Sequence, residues 1–391
     1  MSTAAAPFPM PPYYESSPMP SDGDLPPLEA YYGDPLLDGR ATNASGSAKV
    51  GAGGTAAPLP VVSGDKFCCD IPAWDELVER IIMLGYVYSL TGLTGHCKTA
   101  LLVLLMLSVC TKQHFGPHPL KTGKVLYLCG ENPVDAQLRF AVLLQALGLQ
   151  ADALKDSLVV VPAAFHLEER LPDIRDLASR LGPIVLVVVD TSVAYFSYGD
   201  ENNNLDARNH AADCRSLTTI NGNPAVIVAA HPTKGAGRDN LLPRGGGAFL
   251  NEVDGNLTVW RDDETVVMHH AGKFRGPPFD PVTFKLEQAD IVGVTRKDGR
   301  PHRSVFLHWI DDNEAAKLDT GRIHDENRLL WAMLHHPSGT FADWSSTCGW
   351  KGKGKVSRTL VALSADGLVK KYRSRYTLTE AGKREAEKDK T

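Results

Sequence analysis

The sequence predicts an α/β protein: a mostly parallel sheet with flanking helices and antiparallel edge strands, followed by a small C-terminal unit of helices and a ribbon. Three observations predict it. Between about Ile71 and Ile310, continuous Val/Ile/Leu runs alternate with helical periods, as strands covered on both faces require. Several β-rich runs then follow one another with no helix between them. Beyond about Asp325 the pattern changes to three helical segments and two short strands.

In chain order, residues 1–65 are rich in Pro, Gly, Ser and Ala, as in "PFPMPPYYESSPMPSDGDLPP", and are expected to be a disordered tail. The pairs Tyr13-Tyr14 and Tyr31-Tyr32 read either as docking spots for a protein partner or as aromatics of a solvated tail. Residues 66–318 are expected to form the main domain. Its alternating series is "GYVYSLTG", a helix from Lys98, "KVLYLCG", "NPVDAQLRFAVLLQALG", "SLVVVP", "DIRDLASRLG", "IVLVVVD", "LDARNHAADCRSLTTI" and "AVIVAAH". Crossover connections between such strands imply parallel pairing. "GNLTVWRD", "ETVVMHH", "PVTFKLE" and "SVFLHWI" are expected to form antiparallel hairpins that extend one sheet edge. Residues 319–391 make the third region. "ENRLLWAMLHH", "TFADWSSTCGW" and "KVSRTLVALSADGLV" read as helices, and "KKYRSRYTLTEAG" as a two-stranded ribbon. That outline is a winged-helix domain, a variant of the helix-turn-helix.

Bulk properties exclude more than they identify. The formal charge of -5 over 391 residues names no partner. The seven cysteines are scattered, with no C-x-x-C pair and an odd count, which argues against a zinc knuckle and a disulfide framework. No basic-then-apolar leader opens the sequence, and "TALLVLLMLSVC" is too short to span a bilayer, so it reads as a buried helix. A soluble, cytoplasmic protein with no membrane partner is expected.

The chemistry begins at "GLTGHCKT", residues 92–99. A phosphate loop reads G-x-x-x-x-G-K-[ST] and lies between a buried strand and a helix, whose N–H groups then face the anion. Gly92, Lys98 and Thr99 fit the pattern, with Thr94, Gly95 and His96 between them, and Cys97 stands in place of the second glycine. Lys98 is expected to reach the β- and γ-phosphates of ATP, and Thr99 to offer its hydroxyl to Mg²⁺. Asp190 ends the buried run "PIVLVVVD" and reads as a Mg²⁺ carboxylate or as a cap of the next turn. Glu131, just past "KVLYLCG", reads either as a base for an attacking water or as an acid favoured by the next helix's N-terminus.

The ordered set "GLTGHCKT", "VLYLCGEN", "VLVVVDTSVAYFSYGDENN" and "VIVAAHPTKG…LLPRGGGAF" resembles the RecA-like ATPases, and within them the RepA-type replicative helicases of plasmids and phages, relatives of the DnaB helicases. The resemblance covers about residues 70–290. It implies a RecA-like fold, ATP hydrolysis with Mg²⁺, and a homo-oligomer, expected as a ring. It carries over a catalytic role to Glu131, the phosphate and metal roles to Lys98, Thr99 and Asp190, a γ-phosphate sensor to His231, and an arginine finger reaching a neighbouring subunit to Arg244. In the DnaB branch a lysine precedes that arginine by two residues; Leu242 stands there in this chain. Gly245, Gly246 and Gly247 are expected to leave the backbone beside Arg244 flexible.

Two further expectations concern Cys97. Its backbone is expected to take right-handed helical angles at the start of the helix. Its thiol, beside Lys98 and a helix N-terminus, is expected to have a lowered pKa. ATP binding should survive the substitution, with turnover reduced.

Residues 351–391 hold twelve Lys and Arg against five Asp and Glu, an excess of seven in an acidic chain. Lys355, Ser357 and Arg358 mark the start of the candidate recognition helix, and Lys370, Lys371, Arg373 and Arg375 lie on the ribbon. Both places would meet DNA, single-stranded or duplex; the other reading is a solvated basic face on a protein-binding unit. The expectations together describe an ATP-driven, DNA-dependent motor or loader. The alternatives are an ATP-controlled DNA-binding regulator that does not translocate, and a nucleotide-gated scaffold.

Overall fold

The computed structural model describes residues 61–69, 75–373 and 375–388. Most of the expected tail, both Tyr-Tyr pairs included, lies outside the described residues. The chain divides into two units, Met1–Ala73 and Trp74–Thr391. Of the first, helix α1 (Gly64–Cys69) is described; it has no buried residue. The rest concerns the second unit.

After a small hairpin of β1 (Glu76–Val78) and β2 (Ile82–Met83), the alternating series runs as follows. It comprises β3 (Val87–Thr91), α2 (Lys98–Thr111), β4 (Lys124–Cys129), α3 (Pro133–Ala146), β5 (Leu158–Val161), α4 (Leu167–Leu181), β6 (Ile184–Asp190), α5 (Asn204–Ser216) and β7 (Ala225–Ala230). A short helix α6 (Gly246–Glu252) precedes four strands: β8 (Gly255–Asp262), β9 (Thr265–Phe274), β10 (Val282–Thr295) and β11 (Pro301–Trp309). Among the described residues nine strands form one sheet in the order β11-β10-β9-β8-β3-β7-β6-β4-β5. The fold is therefore α/β and RecA-like, with a mostly parallel centre and antiparallel strands at one edge.

The central strands are near-continuous apolar runs because both faces are covered. Successive residues of one strand feed different cores: Val125 and Tyr127 of β4 lie on the α2 and α3 side, Leu126 and Leu128 on the α4 and α5 side. Helix α2 is apolar all round, and Ala100 to Leu107 are all buried, as such a helix must be.

Two details differ from expectation. Strand β8 runs parallel to β3, so the antiparallel pairing begins only with β9. The long hairpin of β10 and β11 also does more than extend the edge. It folds back over α3, where Gln145 Nε2 donates to the Asp290 carbonyl at 3.0 Å and Val292 N–H donates to Gln145 Oε1 at 2.9 Å. Phe284, Leu286 and Leu307 are buried there.

One buried polar residue sets the position of β3. Asn256 of β8 is fully enclosed, and its Oδ1 accepts from Ser89 Oγ at 2.9 Å and Thr91 Oγ1 at 2.7 Å. Its Nδ2 donates to the carbonyls of Leu241 at 2.8 Å and Ala271 at 3.0 Å. Every hydrogen-bonding position of the amide is used. Asn256→Ala is expected to strand two hydroxyls and two carbonyls and to cost about 2–4 kcal/mol of stability. A chemical denaturation curve measures it.

The remainder has its own small core of Leu329, Leu330, Met333, Trp344, Val356, Leu360 and Leu363. It comprises α7 (Asp312–His335), α8 (Phe341–Thr347), α9 (Lys353–Ala365), the ribbon β12 (Val369–Tyr372) and β13 (Arg375–Leu378), and α10 (Glu380–Lys388). Helix α7 begins at Asp312, well before the helical segment expected from residue 326, because Asp311 caps it by accepting from Glu314 N–H at 2.8 Å. Among the described residues no helix is long and apolar enough to cross a membrane.

Candidate active site

The parallel strands deliver the expected residues to one edge. The loop after β3 and the first residues of α2 carry Gly92 to Thr99, β6 ends at Asp190, Glu131 follows β4, and His231 follows β7. These strands lie side by side in the order β3-β7-β6-β4, so their C-terminal ends form one crevice, where an α/β sheet accepts a ligand. A cavity of 310 Å³ opens there, lined by Thr94, Gly95, Cys97, Lys98, Thr99, Glu131, Thr191 and His231.

Gly92 is needed by close approach. A Cβ on it would sit 2.8 Å from the Val259 carbonyl oxygen of β8. Lys98 is buried, and its Nζ donates to the carbonyls of Gly92 at 2.7 Å and Leu93 at 3.3 Å. Burial lowers its pKa, while Asp190 and Glu131 act to raise it. The lysine thus rests on its own loop, within the space where an anion would lie.

Asp190 is almost wholly enclosed. Its Oδ2 accepts from Tyr127 Oη at 3.0 Å, while Oδ1 has no hydrogen-bond partner. Burial raises its pKa; Tyr127, Thr99 and Lys98 act in the opposite direction. The neighbouring Thr191 Oγ1 is also buried without a partner. Orphaned buried oxygens beside a threonine hydroxyl are hard donors, the set that suits Mg²⁺. Thr99 and Asp190 would hold the ion, which would screen the charge of a bound triphosphate. Glu131 is exposed, directly before Asn132, which caps α3 by accepting from Asp135 N–H at 3.1 Å. It therefore sits both at the cavity and at a helix start, the two places its alternative readings required.

Cys97 departs from both expectations. Its φ of 67° is left-handed, because the loop keeps the turn that a glycine would make. Its thiol pKa is raised, not lowered: burial outweighs Arg261, Arg139 and Lys98. A left-handed residue with a Cβ costs roughly 1–2 kcal/mol, partly offset in glycine by its larger unfolded-state entropy. Cys97→Gly is expected to leave stability unchanged or raise it by about 1 kcal/mol, with turnover equal to or above wild type. Thermal melting and a steady-state ATPase assay read the two effects.

His96 lies in the loop but turns its ring out of the cavity. Its Nδ1 accepts from Arg261 N–H at 3.1 Å, and its ring meets Trp260 edge-on at 4.6 Å. His231 has a lowered pKa, through burial first and then Lys98, so it is neutral at pH 7. Arg244 does not line the Lys98 cavity. It is ion-paired to Glu201 and shares a second hollow with His231, whose carbonyl accepts from Arg244 N–H at 2.8 Å. The glycine run after it is not a flexible loop. Gly245 caps α6 at φ 101°, packed where a Cβ would lie 2.8 Å from Ala207 Cβ, and Gly246 and Gly247 begin the helix.

The C-terminal basic residues divide into two groups. Lys370, Lys371, Arg373 and Arg375 are exposed on the ribbon. Lys355 and Arg358 of α9 instead pair with acids of the same chain, Lys355 with Asp325 at 2.5 Å and Arg358 with Asp263 at 3.5 Å. Ser357 between them is exposed.

Beyond the phosphate loop, sequence reasoning missed five contributors to the cavity: Thr191 after β6, Arg139 of α3, Arg261 of β8, Leu286 of β10 and Val305 of β11. Only the fold-back of the β10–β11 hairpin brings the last two there.

A family model described as AAA domain matches residues 55–237, the stretch from before β1 to just past His231. It spans the phosphate loop, Glu131 and Asp190. No curated protein matches the chain. The match and the fold agree on a P-loop ATPase domain, a class that binds nucleotide and usually Mg²⁺.

Proposed function

We propose that this protein is an ATP-hydrolysing, DNA-dependent oligomeric motor or loader of the RepA-type replicative helicase class, from a phage or plasmid. The observation that carries the reading is the convergence of Lys98, Thr99, Glu131 and His231 on one cavity, above a buried Asp190 with an unpartnered oxygen.

In the proposed cycle the Lys98 ammonium leaves the Gly92 and Leu93 carbonyls for the β- and γ-phosphates, while loop N–H groups hold the same anion. Glu131 orients water and takes its proton as the water attacks the γ-phosphorus and the bond to the β–γ bridging oxygen breaks, releasing ADP and inorganic phosphate. His231 feels the γ-phosphate and stands between that cavity and the Arg244 hollow. Because Arg244 lies outside its own chain's phosphate cavity, it acts in trans, at the site of the next protomer of a ring. Ribbon residues Lys370, Lys371, Arg373 and Arg375 meet DNA phosphates, and Ser357, with Lys355 and Arg358 once freed, meets the groove.

A second reading, an ATP-controlled DNA-binding regulator without translocation, draws support from the engagement of Lys355 and Arg358 by acids of the same chain. Unwinding of a forked duplex separates the two readings, since only the motor opens it.

Glu131→Gln tests the chemistry that both readings share. It is expected to bind MgATP as wild type does and to lose turnover by on the order of 10²-fold or more. Wild-type turnover in this variant would remove Glu131 from the mechanism.

A further inference from the structure

The end of β8 touches both the phosphate loop and the C-terminal helices. Arg261 N–H donates to His96 Nδ1, its side chain lines the nucleotide cavity, and its Nε donates to the Asp263 carbonyl at 2.8 Å. Asp262 Oδ2 lies 3.0 Å from Arg322 Nη1 of α7, and Asp263 Oδ1 lies 3.5 Å from Arg358 Nε of α9. The turn between β8 and β9 is as short as a hairpin allows. Asp262 pairs with Thr265, and Asp263 holds a left-handed φ of 50°. Such a turn has no slack, so a displacement at Arg261 reaches Asp263.

Charge compensation indicates what Arg261 is poised for. Three cations line the cavity: Lys98, Arg139 and Arg261. Arg139 is balanced by Asp135 at 2.5 Å. Arg261 makes no ion pair among the described residues; its Nε is held by a neutral carbonyl. A further hollow of 530 Å³ shares Arg261 and Leu286 with the cavity and extends to Arg358, with Asp263, Glu264 and Glu287 also on its wall but none of them ion-paired to Arg261. A cation facing an anion site without a carboxylate partner is compensated only when the anion arrives.

The geometry points to Arg261 as an anion-contacting residue of the nucleotide site, and to the Arg261–Asp263 turn as the link through which a bound nucleotide undocks α9 from the sheet. The inference rests on the nucleotide-site reading above. A phosphate that draws the guanidinium competes with the Asp263 carbonyl for Nε. The turn then relaxes, Asp263 moves off Arg358, and the basic start of α9 is freed. Linkage is reciprocal: the factor by which nucleotide weakens docking is the factor by which docking weakens nucleotide. The Asp263–Arg358 pair is largely exposed and weak, so a factor of roughly two to five is expected.

The test is a set of dissociation constants for a fluorescent ATP analogue with Mg²⁺, measured on the full chain. Asp263→Asn, which breaks the pair to Arg358 and keeps the turn carbonyl, is expected to bind roughly two- to fivefold tighter than wild type. Glu264→Gln removes the same charge one residue away and is expected to match wild type. Arg261→Gln is expected to bind more weakly, and adding Asp263→Asn to it should change nothing further. Equal affinity of Asp263→Asn and wild type overturns the inference alone, and so does a gain that is equal in Glu264→Gln or survives without Arg261. A wild-type chain that binds no analogue overturns the nucleotide-site reading and the inference together.

Discussion

Lys98→Ala is expected to abolish nucleotide binding, with a loss on the order of hundredfold or more. Lys98 is the one cation that rises from the loop itself, and its ammonium already occupies the anion's place through the Gly92 and Leu93 carbonyls. Truncating it removes charge-assisted contacts to two phosphates at once. Fluorescent-nucleotide titration measures the loss. A thermal melt near that of wild type shows that the fold survives, since α2 is held by its apolar residues from Ala100 to Val109. Unchanged affinity in a folded variant would move the site elsewhere.

Arg244→Ala is expected to bind ATP normally and hydrolyse it on the order of 10³-fold more slowly or worse. The residue lies outside the cavity that holds Lys98 and is paired to Glu201 in its own chain, so binding does not need it. A finger stabilises charge that develops only in the transition state, which is why kcat falls and affinity does not. Mixing Arg244→Ala with Glu131→Gln protein is expected to recover activity at junctions where an intact Glu131 faces an intact Arg244. Absence of rescue in a mixture shown to co-assemble would remove the shared site, and with it the chief reason for a ring.

Much of the main fold was legible because a strand covered on both faces leaves no choice of composition. Residues 125–129 of β4, residues 184–189 of β6 and the whole of β7 are apolar, so a carboxylate at the end of β6 stood out as Asp190. The phosphate loop was legible through its context, a buried strand before it and a buried helix after it. What depended on backbone angles was not. The sequence places Cys97 beside Lys98, and only the structure shows that its backbone turns left-handed and that burial raises its thiol pKa. What depended on distant pairing was not legible either. Arg261 is 165 residues from His96, and the two meet because β8 lies parallel to β3. Composition marked Lys355 and Arg358 as free basic residues, whereas packing sets them against Asp325 and Asp263. Helix α7 began earlier than its apolar periodicity suggested, since its first half, "DNEAAKLDTGRIHD", carries little apolar pattern.

The most direct test of the motor reading is the rate of ATP hydrolysis by the full chain, measured without DNA, with single-stranded DNA and with duplex. A DNA-dependent motor is expected to turn over slowly alone and at least about tenfold faster on one of the two DNAs, with the stimulation falling as salt rises because ribbon lysines and arginines hold phosphates. A rate that is the same under all three conditions, in a protein that binds ATP, would contradict it.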